Sequence, residues 1–222
     1  MTPAARRPPP RVRDGVLAAI PLAPGPVLFG LTFGVLAAAS GIGALAAIVM
    51  SATTFAGSAQ FAAASVIDAG GTAVAAILAA VFLNARYVAI SLTVASIFPG
   101  GKLRRLFESQ LIVDESWAIS GRSGSFEWPI LVGAGGLLYV LWVSSTALGT
   151  LVGGVLANPN ALGLDAAFAA LFLGLTLPYV RERRALHAAI VSGAITVVLI
   201  PVAPTGVPIV AAASACLLGL RR

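Results

Sequence analysis

Seven apolar blocks, several of them as long as a bilayer is thick, constrain this chain more than any other feature. A helix needs roughly 20 consecutive apolar residues to cross a hydrocarbon core of about 30 Å. The blocks run Gly15–Ala39, Gly43–Ile67, Thr72–Phe98, Pro129–Ala157 and Leu162–Val180, with shorter ones at Leu186–Val202 and Thr205–Leu220. Ala, Leu, Val, Ile and Gly fill them without the alternation of outer-membrane strands, so helices are expected and not a barrel. Charged residues make up 10% of the 222, against about a quarter in a soluble domain. So few cannot cover a water-facing surface. The expected fold class is all-α: a polytopic transmembrane helix bundle with about six or seven spans, one of them broken or re-entrant.

The net charge of +6 would suggest nucleic-acid binding in a soluble chain. Here the cations cluster at block ends, so no nucleic acid is expected and topology accounts for them. Lys102, Arg104 and Arg105, then Arg181, Arg183 and Arg184, then Arg221 and Arg222 are separated by pairs of blocks. They are therefore expected on one face, the cytoplasmic one. Arg6, Arg7, Arg11 and Arg13 precede the first block like a secretion signal, but Pro21, Pro24 and Pro26 interrupt it and it leads into a full-length span. It is expected to be retained. Residues 1–14 are assigned to a cytoplasmic Pro/Arg-rich tail, and 15–222 to one transmembrane domain with an amphipathic connector at 106–127.

Three full crossings would put the amino-terminal arginines opposite Lys102, so one of the first three blocks is expected not to cross completely. The second is the candidate. It carries Ser51, Thr53, Thr54, Gly57, Ser58 and Gln60 in the middle of an apolar segment. A break there would mark a transport path, because non-helical backbone at membrane depth needs protein or a wet cavity around it. A continuous helix whose hydroxyls bond their own carbonyls fits the same residues. Gly30 with Gly34, and Gly149 with Gly153, have the spacing of close helix packing.

Arg86 stands near the middle of the third block, where it cannot snorkel out, and a charge there costs at least about 2.5 to 3.5 kcal/mol. It is expected to face a cavity or a carboxylate, with Asn84 and Tyr87 adding polar groups nearby. The natural counter-charges are Asp114 and Glu115, adjacent acids on the connector. If both are partly buried, one should hold its proton near neutral pH, as a proton-coupled carrier requires. The other reading of these charges is a structural pair that locks the bundle.

His187 reads as interfacial, Asp68 and Asp165 as capping or water-facing, and Cys216 as an apolar filler. Trp117, Trp128, Trp142, Tyr139 and Tyr179 include candidate interface anchors, with Trp142 rather deep for that role. No phosphate-cradling loop, paired-histidine site or nucleophile elbow is present. No enzyme, cofactor or metal is therefore expected.

Three segments together, Ala56–Phe61 (AGSAQF), Asn84–Val88 (NARYV) and Val113–Ala118 (VDESWA), give a resemblance. In order and approximate spacing, from about Ile20 through the last helix, the chain resembles the AzlC family, large subunits of bacterial branched-chain amino acid exporters. The resemblance implies a multi-pass protein of the bacterial inner membrane that exports branched-chain amino acids or analogues. It also implies a small AzlD-like membrane subunit as partner. Carried over, Gly57, Ser58 and Gln60 match the broken-segment motif, Asn84 and Arg86 the intramembrane arginine motif, and Asp114 and Glu115 the acidic pair. Where the family usually has a histidine after the arginine, this chain has Tyr87, and tyrosine titrates near pH 10. Coupling is therefore expected at Asp114 and Glu115, and substrate binding at Gly57, Ser58, Gln60, Asn84, Arg86 and Tyr87. A permease or accessory subunit that needs a partner for any transport is the alternative.

Overall fold

The computed structural model describes residues 9–122, 125–155, 173, 177, 180–203 and 207–215. The start of the tail, most of the block Leu162–Val180 with Asp165 and Tyr179, Cys216, and the closing Arg221 and Arg222 lie outside them. The described helices are α1 (Val12–Ala19), α2 (Pro24–Ala39), α3 (Ala44–Thr54), α4 (Gly57–Asp68), α5 (Ala73–Asn84) and α6 (Arg86–Val94). They continue with α7 (Lys102–Ser109), α8 (Asp114–Ser120), α9 (Trp128–Val155), α10 (Arg183–Leu199) and α11 (Val207–Ala213). Among the described residues, the one departure from all-α is a pair of two-residue strands in the connector, β1 (Gly121–Arg122) with β2 (Ser125–Phe126), antiparallel and paired Gly121 to Phe126.

Among the described residues, two helical stretches are long and apolar enough to cross a membrane: Ala73–Ile97, which joins α5 to α6, and Trp128–Gly153 in α9. A third qualifies if the first block counts as one span, but it is bent by 65° between Val12–Leu22 and Pro24–Ala39. The prolines cause this bend. Pro24 and Pro26 have no N–H, so the carbonyls of Ile20 and Leu22 lose their helical donors four residues on. Ile20 recovers one from the Ala23 amide at 3.0 Å, in a 3-10 turn. The sequence expectations noted these prolines as interruptions of the first block but took it as leading into a full-length span, and placed the broken span in the second.

The second block is broken as well. α3 has 11 residues, about 16 Å of helix, half the apolar thickness it would have to cross. It ends at Phe55 in the left-handed conformation with φ 39°, a strained position for a side chain of that size. The carbonyls exposed by the break are satisfied by protein: Tyr139 Oη donates to Ala52 O at 2.8 Å, and Gln110 Nε2 donates to Thr53 O at 2.6 Å. These two bonds let the chain leave the helical path inside the bundle.

α9 is the central post, and α2 is its most extensive partner. The two backbones touch where glycines meet: a Cβ on Gly34 would lie 2.8 Å from Gly149 Cα. Around this seam Phe33, Phe61 and Trp142 form the core, with Phe33 and Phe61 edge to face at 5.6 Å and Phe61 and Trp142 at 6.3 Å. A buried polar thread runs beside them. Gln60 Nε2 donates to Ser51 Oγ at 2.8 Å, Ser51 donates to Thr146 Oγ1 at 3.0 Å, and Trp142 Nε1 donates to Gln60 Oε1 at 3.1 Å. The thread ties α3, α4 and α9 together across the break.

The connector begins earlier than its sequence boundary, since Lys102, Arg104 and Arg105 belong to α7. It then turns inward: the backbone at Leu111 lies against Gly135 of α9, and Ile112 and Val113 are buried. α8 thus carries its two acids into the bundle.

Candidate functional site

The two broken segments meet. Leu22, Gly25, Pro26 and Phe29 from the bend of the first block, and Phe55, Gly57, Ser58 and Phe61 from the break in the second, line one chamber of about 250 Å³. Arg86 from α6, Val113, Asp114 and Glu115 from α8, and Leu138 and Trp142 from α9 complete it. Its volume falls just below the roughly 300 Å³ at which drug-sized pockets begin, so it suits a small solute and not a polymer. One side is apolar, and the ionisable groups are gathered on the other.

Arg86 is the hub of the polar side. As the first residue of α6, after the tightened turn at Ala85, it donates through Nη2 to Ser58 Oγ at 3.1 Å and pairs with Asp114 Oδ2 at 2.8 Å. Tyr87 flanks it, with its ring centroid 5.1 Å from the guanidinium carbon. Two side-chain exposures decide what the ion pair can do: 39% for Arg86 and 41% for Asp114. A pair so open is worth at most about 1 kcal/mol, so a competing carboxylate can displace Asp114 at small cost. The arrangement is an exchangeable clamp and a weak lock.

α4 presents its start to the same chamber. The first amides of a helix have no intrahelical acceptor, and the local dipole is positive there. Gly57 and Ser58 therefore add backbone donors beside the guanidinium. Leu22, whose carbonyl Pro26 deprives of its helical donor, lines the same chamber. One break offers donors and the other an acceptor, the pairing found where discontinuous helices bind small zwitterions.

Glu115 reaches the protein surface, yet burial is the first cause that holds its carboxyl above the ordinary value of 4.5. Asp114 adds to the rise, while the backbone amide of Glu115 and the Arg86 charge oppose it. A raised acid stabilises the fold fully below its unfolded value, and that contribution is lost as the pH rises through the higher folded value. The melting temperature of the purified protein should therefore fall as the pH is raised above 4.5. Glu115→Gln should flatten that dependence; an unchanged profile would show that the fold is indifferent to this proton.

The eight site residues expected from sequence divide in space. Gly57, Ser58, Arg86, Asp114 and Glu115 line the chamber. Gln60 lies behind it, fully buried in the thread with Ser51 and Trp142. Tyr87 supports Arg86 from the side. Asn84 turns into a second, larger apolar groove of about 680 Å³ beside Met50, Ala63 and Ala76, where its buried Oδ1 has no hydrogen-bond partner among the described residues. Sequence reasoning missed Phe55, Phe61 and Trp142 as chamber walls, and Tyr139 and Gln110 as caps of the break. Only the three prolines near residue 24 signalled the bend of the first block that lines the chamber.

The position of Gly57 has a direct consequence. A Cβ there would sit 2.8 Å from Trp142 Cη2, on a ring wedged between Phe33 and Phe61. Gly57→Ala should insert into membranes normally while pushing the indole into the chamber. A shifted tryptophan emission together with reduced solute binding is the expected pair of results.

Comparison with known proteins now decides the family. The family model described as AzlC protein matches residues 21–156, the stretch that holds every chamber residue. The chain belongs to the AzlC family. A relative named as an uncharacterized membrane protein of Archaeoglobus fulgidus is 33% identical over 206 residues, 91% of each chain. One of the same name from Helicobacter pylori is 26% identical over 155 residues, 68% of each chain. A relative from Bacillus subtilis named branched-chain amino acid transport protein AzlC is 26% identical over 161 residues, covering 69% of this chain and 62% of that one. No solved structure matches. With its apolar helices and these relatives, this AzlC protein is a membrane protein of a transport-related family.

Proposed function

We propose that this AzlC protein is a secondary transporter that exports branched-chain amino acids or close analogues across the inner membrane, with about six or seven spans in all. The exchangeable Arg86–Asp114 pair, at the wall of a small chamber between two broken helices, is the observation that carries this reading. The substrate carboxylate takes the place of Asp114 on Arg86, supported by Ser58 and the first amides of α4. Phe55, Phe61, Leu138 and Trp142 accept the branched side chain. The ammonium group lies toward Glu115 and the Leu22 carbonyl. Glu115, with its raised proton affinity, and Asp114, released from Arg86, are the coupling pair. Gln60 and Tyr87 hold the wall in shape.

Purified protein reconstituted in liposomes loaded with radiolabelled leucine tests this. Saturable efflux, accelerated by a pH gradient and inhibited by valine but not by lysine, is the expected result; the absence of leucine flux under every gradient would refute it.

A second reading, an accessory subunit inactive alone, draws on the Ala73–Ile97 span. That helix carries Arg86, yet Val74, Ile77, Val81, Val88 and Leu92 on it are all more than half exposed. A small AzlD-like membrane subunit seated against this helix would cover them. The same liposomes with that subunit added separate the readings: flux only in its presence makes this chain one half of the carrier.

A further inference from the structure

α7 does not look like a water-facing loop helix. Leu103, Leu106 and Phe107 on it are 74%, 65% and 74% exposed. At about 100° per residue these three cover one stripe roughly 100° wide. Lys102 projects beside that stripe and Arg105 from the far side of the helix, both exposed. On the remaining side Arg104 Nε bonds Glu108 Oε1 at 2.7 Å, Trp128 Nε1 donates to Glu108 Oε2 at 2.7 Å, and the Arg104 guanidinium lies 5.0 Å from the Trp128 ring centroid. That side is fastened to the protein; the apolar stripe is not.

Its position along the chain sets its depth. The apolar stretch Ala73–Ile97 ends just before Lys102, and Trp128, to which α7 is fastened, opens the next stretch. α7 is therefore held at the level where two spans leave the hydrocarbon. A short helix with an apolar stripe, an adjacent cation and a tryptophan at that level has the features of one that lies in the interface of an anionic membrane.

We propose that α7 is an interfacial helix that binds anionic phospholipid, with Leu103, Leu106 and Phe107 seated among the acyl chains, Lys102 on the lipid phosphates and Arg105 toward water. The occupant is lipid and not a second copy of the chain, because α7 lies between two candidate spans at the ends where they meet it and Lys102 at the edge of the stripe complements anionic headgroups. The seat lies close to the chamber in sequence: Gln110, which follows α7, caps Thr53 at the helix break, and Asp114 comes four residues later.

The test uses the full chain, with Cys216→Ser and a nitroxide at Leu106→Cys or Arg105→Cys, in vesicles of phosphatidylcholine with and without phosphatidylglycerol. The label at 106 should be reached by oxygen and not by a water-soluble nickel complex, and the label at 105 by the nickel complex. In the unlabelled chain, brominated phosphatidylglycerol should quench tryptophan emission more than brominated phosphatidylcholine does. Lys102→Gln should lower that preference by roughly fivefold, the equivalent of about 1 kcal/mol for one cation at an anionic surface. A label at 106 open to nickel, a spin–spin broadened signal showing a second copy on the stripe, or an unchanged lipid preference in Lys102→Gln would each overturn the proposal.

Discussion

Arg86→Gln is expected to reduce leucine efflux at least tenfold while leaving the amount of protein in the membrane unchanged. The argument rests on the open ion pair. With Arg86 and Asp114 each about 40% exposed, losing their attraction costs the fold no more than about 1 kcal/mol. Transport loses the cation that is proposed to receive the substrate carboxylate, and tenfold already corresponds to about 1.4 kcal/mol of that interaction. Arg86→Lys keeps the charge but not the planar guanidinium whose Nη2 meets both Ser58 and Asp114, so it should fall between the two. Efflux from reconstituted vesicles, with size-exclusion profiles as the folding control, separates the outcomes. Retained efflux in Arg86→Gln would remove Arg86 from the substrate path.

Gly34→Val should give the largest loss of stability. The added Cβ would meet the Thr146 carbonyl oxygen, Thr150 N at 2.7 Å and Gly149 Cα at 2.8 Å. All three are backbone atoms of α9 and move only if the helices separate. Overpacking of this kind costs about 3 kcal/mol at the upper end of its usual range, or a melting temperature lower by roughly 10 °C for a chain of this size. Gly136→Ala, in the same α9 but with nothing within 4 Å of the new Cβ, is the matched control and should be neutral or mildly stabilising. Thermal unfolding of both variants in detergent checks the contrast.

How far the chamber was legible from sequence depends on what kind of signal each part gives. Arg86 and the acids stood out because a charge inside an apolar block has few tolerable surroundings, and the structure does bring Arg86 to Asp114. The break in the second block was legible from its Gly-containing polar run. The bend of the first block was present in Pro21, Pro24 and Pro26, but nothing local says that the freed backbone faces the same chamber. Asn84 and Gln60 show the opposite limit. Both sit one helical turn or less from a chamber residue, yet the helix path turns Asn84 into the outer groove and Gln60 into the core.

The sequence by itself determined that this chain lives in lipid, that its elements are helices, and that a cation inside an apolar block must face a cavity or an acid. These follow from solvation costs that each residue bears wherever it is placed. Only the tertiary structure decided that two interrupted helices open onto one chamber, that Tyr139 and Gln110 cap the carbonyls of the break, and that Trp142 forms its wall. Those pairings join residues about 57 to 87 positions apart, and contacts at that distance are set by how α9 packs against its neighbours and by no local pattern.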